Sequence, residues 1–417
     1  MRETRDTLLL NRKNNLVLAA LIFLIPTQVG YHFWPDFAHV FGIRVDYLSP
    51  AIYLTDLLVL LLFFLWAKTK PKINRKTIAR LIFLMLFAFV NILLAKNTGA
   101  ALYKWIKIFE FVFFGYYLFS LKGIDIKKQI MRPLGLSLLF FSSVGILQFI
   151  KQGTIGGLLY FLGERSFTAS LPGIALVDIG GSQYLRAYST FSHPNSLAGF
   201  LATGLILLAF SKENRQFKMV VFTLGLAALL FSFSLGALLG LVVVLLFYLT
   251  VRILPKTFKK GLLAIVFLAI VLSLAQTVYS RSYLKADDLT EDVHNRLVLA
   301  VAAGELSSSS PIWGVGLNNF IVRLPEIKSV AGFSVGRQPV HNIFLLALAE
   351  AGIPGLLLLT LLLTKAASTA AKNGKILFGL AIIFMVVTGL VDHYWLTLQQ
   401  NQLLASLVLG LSLREGS

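Results

Sequence analysis

The 417-residue sequence contains no cysteine and few charged residues. The absence of cysteine excludes disulfides, thiolate metal sites and thiol catalysis. Only 14% of the residues are charged, 57% are hydrophobic, and the mean hydropathy is +0.79. A soluble domain needs a more polar surface, and a β-barrel would alternate rather than form solid apolar runs. The composition therefore predicts an all-α, polytopic helical membrane protein.

Many apolar runs are long enough to cross a hydrocarbon core of about 30 Å. We predict about twelve transmembrane helices within a single membrane domain, residues 1–417. They lie near residues 16–34, 50–66, 79–95, 101–121, 134–150, 195–210, 218–232, 236–251, 261–279, 342–364, 376–391 and 396–413. The first is predicted to be uncleaved, because no small-residue cleavage site follows it.

The net charge of +19 reflects mostly the connections between spans. Basic residues cluster in alternate connections, such as residues 67–78, and positive connections stay in the cytoplasm. Both termini are therefore predicted to be cytoplasmic. Two long connections, residues 151–194 and 280–341, are predicted to face outside, the second between spans nine and ten. No basic patch with base-reading side chains is present, so nucleic acid is not an expected partner.

The segment "RAYSTFSHPNSLAGF", residues 186–200, opens the sixth span. Pro194 suits the first turn of a helix, and Ser192 or His193 would cap it. The free N–H groups of a helix N-terminus attract anions, and Arg186 adds a cation. Arg186, His193 and Asn195 are therefore candidate substrate ligands; the alternative is an ordinary capped helix beside an interfacial arginine.

The segment "PVHNIFLLALAEAGIPG", residues 339–355, opens the tenth span with ionisable groups. His341 is placed in the first helical turn, where the helix N-terminus favours a neutral imidazole that can act as a general base. Asn342 would cap the helix or orient a substrate. Glu350 lies about 13 Å deeper, where a carboxylate needs a partner. The loosened backbone near Gly352 and Pro354 would supply N–H groups, which is a structural role.

Three other groups are weaker candidates. Lys104 and Lys107 lie in the outer half of the fourth span and would add cations to an anion site, unless Lys107 simply pairs with Glu110. Arg296 lies on a predicted amphipathic helix of the second outer loop, capped at Thr290. Asp392 and His393 in the last outer turn are compatible with a hydrogen-bonded cap. Histidines and carboxylates show no metal-ligand spacing, so no metal is predicted.

Four segments in this order resemble the O-antigen ligase and polymerase family of bacterial membrane glycosyltransferases. They are "TFSHPNSLAGF", "FSFSLGALLG", "RLVLAVAAGELSSSSPIWGVGLNNF" and "HNIFLLALAEAGIPG". The resemblance covers roughly residues 186–365.

The resemblance implies transfer of a glycan from an undecaprenyl-diphosphate carrier to an acceptor hydroxyl, outside the bacterial cytoplasmic membrane, without metal or other cofactor. The family's loop histidine and asparagine match His341 and Asn342, and its loop arginine matches Arg296. The resemblance thus implies that His341 deprotonates or orients the acceptor hydroxyl. Arg296 would bind the diphosphate.

The sequence departs from the family in two places. Many members have Ser-Arg-Gly between spans seven and eight, where this chain has Ser234, Leu235 and Gly236. Arg186, Lys104 or Lys107 would have to supply the missing charge. The tryptophan often found four residues after the loop arginine is replaced by Ala300. Both departures bear most on lipopolysaccharide ligation.

Three acceptors stay open: a lipid-A core, a growing glycan, or a protein side chain. A different class of protein, a transporter or flippase for the lipid-linked glycan, would place charged residues along mid-membrane positions and broken helices. A non-catalytic membrane scaffold is a third reading. Here the ionisable groups cluster at outer helix ends, which favours an enzyme.

Overall fold

The computed structural model describes residues 2–121, 125–171, 173–209, 211–254, 257–283, 291–327 and 337–414. The helices are α1 (Arg2–Leu24), α2 (Leu54–Lys68), α3 (Arg75–Leu94), α4 (Thr98–Ser120), α5 (Arg132–Lys151), α6 (Pro194–Ala209), α7 (Arg215–Phe231), α8 (Leu235–Ile253), α9 (Phe258–Tyr283), α10 (Glu291–Ser309), α11 (Phe320–Arg323), α12 (Ile343–Lys372), α13 (Ile376–Gly389), α14 (Tyr394–Thr397) and α15 (Gln399–Leu413).

The chain is mostly helical, as expected for a polytopic membrane protein. Five described helices are long and apolar enough to cross a membrane. They are Arg75–Leu94, Lys127–Lys151, Leu235–Ile253, Phe258–Ser282 and Ile343–Lys372. Each predicted span overlaps a helix, but several of these helices are shorter, so twelve crossings stay a prediction. The predicted first span, residues 16–34, extends too far. Helix α1 ends at Leu24, because Pro26 cannot continue the helix.

Helices α6, α13 and α15 form the centre of the bundle. Almost every residue of α6 and α13 is buried, as expected for helices that are apolar on all sides. Helices α4 and α15 approach closely where Gly410 faces Gly115; a Cβ on Gly410 would lie 2.4 Å from the Gly115 carbonyl oxygen. Helix α3 is peripheral and exposes large apolar side chains such as Phe83 and Phe89, as a lipid-facing helix would.

The structure contains short strands, which the sequence did not predict. Strand β1 (Gly30–His32) pairs antiparallel with β4 (Ala51–Tyr53), and β2 (His39–Val40) with β3 (Ile43–Arg44). Strand β5 (Leu176–Ile179) forms a hairpin with β6 (Ser182–Leu185). Strands β1 and β4 replace the ends of the predicted spans 16–34 and 50–66, and the other strands lie in connections that were predicted to face outside.

These connections pack on one another at one end of the bundle. The Asn318 side chain donates to the Tyr47 carbonyl at 2.8 Å, and the Thr27 hydroxyl donates to the Leu162 carbonyl at 2.6 Å. At the opposite end, the Lys375 ammonium donates to the Arg414 carbonyl at 2.6 Å. The alternate connections therefore form two separate sets, as the charge pattern requires. Which set faces the cytoplasm stays a prediction.

Candidate active site

Arg186 links two connections at the end of the bundle that is predicted to face outside. Its Nε donates to the Ser232 carbonyl at 2.7 Å, and its Nη2 donates to the Asn195 Oδ1 at 2.8 Å. Ser232 lies in the turn between α7 and α8, three residues before Leu235. Arg186 therefore brings a cation to the turn that lacks the family arginine.

Asn195 connects Arg186 to a carboxylate. Its Nδ2 donates to the Asp392 Oδ2 at 2.9 Å, and the other Asp392 oxygen accepts from the His393 backbone N–H at 2.7 Å. Burial alone would raise the pKa of Asp392, but three neighbouring histidines and the Asn195 hydrogen bond lower it overall. Asp392 therefore carries a negative charge at neutral pH, directly beside the histidines.

His193 is the N-terminal cap of α6, which begins at Pro194 as predicted. Its Nδ1 accepts from the Asn195 backbone N–H at 3.2 Å. Burial lowers the pKa of His193 to about 4, with Asp392 opposing the shift and nearby cations adding to it. The ring is thus neutral at pH 7, and its proton lies on Nε2 because Nδ1 is an acceptor.

Helix α10 and the segment before α12 bring Arg296 and His341 to the same place. Arg296 Nη1 donates to the Val391 carbonyl at 3.4 Å, next to Asp392. The His341 and His393 rings have centroids 5.0 Å apart. The charges of His341 and Arg296 act on His193 as well as on His393. We call this set the outer cluster: Arg186, His193, Asn195, Arg296, His341, Asp392 and His393.

His393 is held as a neutral ring of defined tautomer. Its Nδ1 lies 2.8 Å from the Thr397 hydroxyl, whose proton is donated to the His393 carbonyl. Nδ1 is therefore the donor and Nε2 the acceptor. Burial lowers the pKa of His393 to about 3, with Asp392 opposing the shift. The sequence treated Asp392 and His393 as a cap alone; the one available signal was an acid–histidine pair in an apolar turn.

Asn342, a predicted substrate ligand, is a structural cap. Its Oδ1 accepts from the backbone N–H groups of Phe344 and Leu345, and its Nδ2 donates to Ser273 and Gln276 of α9. The residue is 1% exposed. His341 consequently lies just before the cap rather than in the first turn, and it does not itself cap α12.

Lys104 and Lys107 do not join the outer cluster. Lys107 pairs with Asp56 and, at 3.4 Å, with Glu110. Lys104 donates to Gln402 Oε1 at 3.5 Å. Both line a separate cavity of about 700 Å³ that reaches the outer cluster at His193. Of the three residues expected to replace the missing arginine, the structure therefore favours Arg186.

Glu350 is buried in α12, but the hydrogen-bond donor to its carboxylate does not come from the kinked backbone. Its Oε1 accepts from the Phe320 backbone N–H at 3.1 Å, so the donor is the first residue of α11. The kink lies at Gly352, with φ of 65°, just before Pro354. It exposes the carbonyls of Ala349 and Glu350, which accept from Val315 and Gly316 at 2.9 and 3.0 Å.

Asn91 of α3 completes this second polar site and was not identified from the sequence. Its Nδ2 donates to the carbonyls of Trp313 and Glu350 at 2.8 and 3.0 Å. Its Oδ1 accepts from Trp105 Nε1 and the Leu317 N–H at 2.9 and 3.0 Å. We call Asn91, Glu350 and the loop 311–320 the kink junction. A lone asparagine in an apolar span was its only sequence signal.

The described residues contain no group of three or more histidine, aspartate or glutamate side chains arranged to hold a metal ion. Two arginines and one carboxylate act on neutral histidines in the outer cluster. Such an arrangement can bind an anion and accept a proton beside it.

Comparison with known proteins agrees with this geometry. Residues 220–360 match the family model Wzy_C, described as O-antigen ligase. No curated protein matches the chain. The matched region contains Arg296, His341 and the kink junction loop. It covers about a third of the chain, is similar to the O-antigen ligase domain, and supports an O-antigen ligase or polymerase type of membrane glycosyltransferase.

Proposed function

We propose that the chain transfers a glycan from an undecaprenyl-diphosphate carrier to an acceptor hydroxyl at the outer face of the bacterial cytoplasmic membrane. The observation that carries this proposal is the meeting of Arg186 from one long connection with Arg296 and His341 from the other, around Asp392. Cations for a leaving diphosphate and a proton acceptor for a nucleophile are the two requirements of the reaction.

The acceptor oxygen attacks the anomeric carbon of the donor's first sugar. A new carbon–oxygen bond forms there while the bond from that carbon to the phosphate oxygen breaks. The electron pair of that bond leaves with the diphosphate, whose added charge Arg186 and Arg296 stabilise. His341 accepts the acceptor proton, and the charge of Asp392 stabilises the resulting imidazolium.

His341→Ala tests this role. General-base assistance is typically worth on the order of 10² to 10⁴-fold, so turnover should fall by about that factor. Transfer is measured with purified protein in lipid nanodiscs and a lipid-linked glycan donor, and donor binding is measured separately. Binding and thermal stability should be retained. His39→Ala, on the outer β2–β3 hairpin, is a matched histidine control and should transfer normally.

His341→Asn separates a base from a hydrogen-bonding role. Asparagine can orient a hydroxyl but cannot take its proton. Because Asn342 already caps α12, a slow His341→Asn protein cannot be explained by a lost cap. Near-normal transfer by His341→Asn would refute the general-base assignment.

The membrane orientation of the connections is tested by cysteine labelling. Because the sequence contains no cysteine, the introduced thiol is the one that reacts. Lys70 and Ser308 are both exposed, in connections of opposite predicted sides. With an impermeant thiol reagent on intact cells, we expect labelling of Ser308→Cys and not of Lys70→Cys. The reverse pattern would place the outer cluster in the cytoplasm and remove the proposed reaction.

A further inference from the structure

The cavity beside the outer cluster is not used by the proposed chemistry. It has a volume of about 700 Å³, within the range of about 300–1,000 Å³ typical of ligand sites. Ser192 and His193 line it on one side, and Thr397, the hydrogen-bond partner of His393, lines it on another. A molecule in this cavity therefore reaches the outer cluster, whereas Arg186, Arg296 and His341 are not part of its lining.

Aromatic and amide side chains dominate the lining. The aromatic residues are Trp34, Tyr47, Tyr53, Tyr103, Tyr160 and Phe161, and the amides are Gln28, Gln399, Gln400 and Gln402. Aromatic rings offer flat apolar faces with polar tips. Each amide offers both donors and acceptors, which matches a hydroxyl group that is itself donor and acceptor. This combination fits a sugar ring, and it does not fit an isoprenoid tail.

The charged side chains of the lining are of both signs, with Asp46 and Glu164 beside Lys104, Lys107 and Arg165. Lys107 pairs with Asp56 and Glu110. The buried Glu164 accepts from the Gln148 side chain and from two backbone N–H groups, each at 2.7 Å. Carboxylates therefore stand beside the cations of this lining and disfavour a second diphosphate, whereas a neutral, hydroxyl-rich ligand can hydrogen-bond to groups of either sign.

Gln400 provides an independent sign of a ligand. It lies in the first turn of α15 and is 1% exposed. Among the residues that the structure describes, its Nε2 donor has no hydrogen-bond partner, although it lines the cavity. Buried donors are normally paired, and one that is not calls for an explanation. An oxygen of a bound ligand would satisfy it.

Resting on the proposed function, we propose that this cavity is a saccharide subsite, with Gln400 as a hydrogen-bond donor to a sugar oxygen and Trp34 as an aromatic wall. Two sources supply the same chemistry: the glycan of the lipid-linked donor and the glycan of the acceptor. The cavity thus favours a saccharide substrate chain next to the reacting atoms.

Gln400→Leu is the decisive variant. Replacing an unpaired buried donor with an apolar group of similar size should leave thermal stability unchanged or raise it. Loss of one hydrogen bond should weaken saccharide binding by about 3- to 10-fold. The matched control, Gln183→Leu on the exposed β5–β6 hairpin, should bind as the unmodified protein does. Trp34→Ala is the second variant, should Gln400→Leu fail to fold.

Three probes are titrated against the full chain in nanodiscs: undecaprenyl diphosphate, the glycosylated donor from the producing cells, and the glycan released from that donor by mild acid. Weaker binding of the glycosylated donor alone would assign the cavity to the donor glycan. Weaker binding of the free glycan, with both lipids unaffected, would assign it to the acceptor.

Two results would overturn the subsite. One is unchanged binding of all three probes by both variants. The other is an equal loss for undecaprenyl diphosphate, since that lipid has no sugar. Failure of the proposed function itself looks different, because the unmodified protein would then transfer no glycan in the nanodisc assay, whichever probes it binds.

Discussion

Helix α12 connects two polar sites, which differ in the hydrogen bonds and charges that surround their side chains. At its outer end His341 belongs to the outer cluster, and nine residues further along Glu350 belongs to the kink junction. In the kink junction every hydrogen-bonding atom of the Asn91 side chain has a partner inside the protein. In the outer cluster the charges acting on His193 include two arginines and one carboxylate.

This difference distinguishes polar residues that stabilise the fold from polar residues that are available to a substrate. A buried polar group that pairs with backbone atoms fixes two segments relative to each other, and replacing it changes stability. Arginines placed beside neutral histidines can bind an anion through charge-assisted hydrogen bonds. We therefore expect changes in the outer cluster to affect transfer and changes in the kink junction to affect stability.

The largest expected effect is on transfer by Arg296→Ala. Removing one preorganised cation from a leaving diphosphate should lower turnover by about 10² to 10³-fold, with thermal stability retained. Arg296→Lys should restore little, because an ammonium cannot form the planar two-bond contact. Initial rates at low donor concentration give the measurement.

A second arginine on the same side provides the control. Arg281 of α9 forms an exposed ion pair with Glu305 at 2.8 Å, and exposed pairs contribute little to stability. Arg281→Ala should therefore leave both the rate and the thermal midpoint nearly unchanged. Equal rates for Arg296→Ala and Arg281→Ala would remove Arg296 from the site.

At the kink junction we expect a loss of stability rather than a loss of transfer. Asn91→Ala leaves the Leu317 N–H, the Trp105 Nε1 and two carbonyls without their amide partner. Loss of a buried network of this kind should lower the free energy of unfolding by about 2–4 kcal/mol. Thermal unfolding in detergent measures it. Transfer per folded molecule should stay within a few-fold; a selective loss of transfer at full stability would contradict the comparison.

A smaller effect is expected for a double variant of the outer cluster, in which a second arginine recovers part of a lost transfer rate. Arg186 contacts Ser232, and the nearby Leu235, where many family members have arginine, is 75% exposed. Moving the cation by combining Arg186→Ala with Leu235→Arg should recover about 10-fold of the rate lost by Arg186→Ala alone, on the order of one charge-assisted contact. Transfer rates of the single and double variants test it. No recovery would mean that the turn after α7 does not face the diphosphate.

The sequence predicted well those features that depend on short stretches of chain. Apolar runs mark the helices, and Pro194 marks the start of α6. The catalytic roles that the motif segments indicated for Arg296 and His341 stay predictions. The sequence could not predict contacts between distant segments. Arg186 and Ser232 are 46 residues apart, and Asn91 and Glu350 are 259 apart.

The roles of neighbouring residues also depend on tertiary packing. Adjacent in sequence, His341 and Asn342 were both predicted to contact substrate. Only the structure shows that the Asn342 amide is fully occupied by α12 and α9. The cavity was missed for the same reason, because its lining comes from six separate stretches of the chain.

The smallest expected effect is a pH dependence of stability that only the outer cluster shows. The unfolded ring of His393 protonates near pH 6.5, whereas burial lowers the folded pKa to about 3. Between these values the unfolded chain binds the additional proton, so stability is complete above pH 6.5 and falls as the pH falls. At pH 5 this amounts to about 2 kcal/mol, or a few degrees in thermal midpoint.

His393→Gln should therefore lose less stability than the unmodified protein between pH 8 and pH 5. Asn91→Ala, whose side chain does not titrate, should lower the midpoint equally at both values. If His393→Gln kept the full pH dependence, His393 would not be held neutral in the outer cluster.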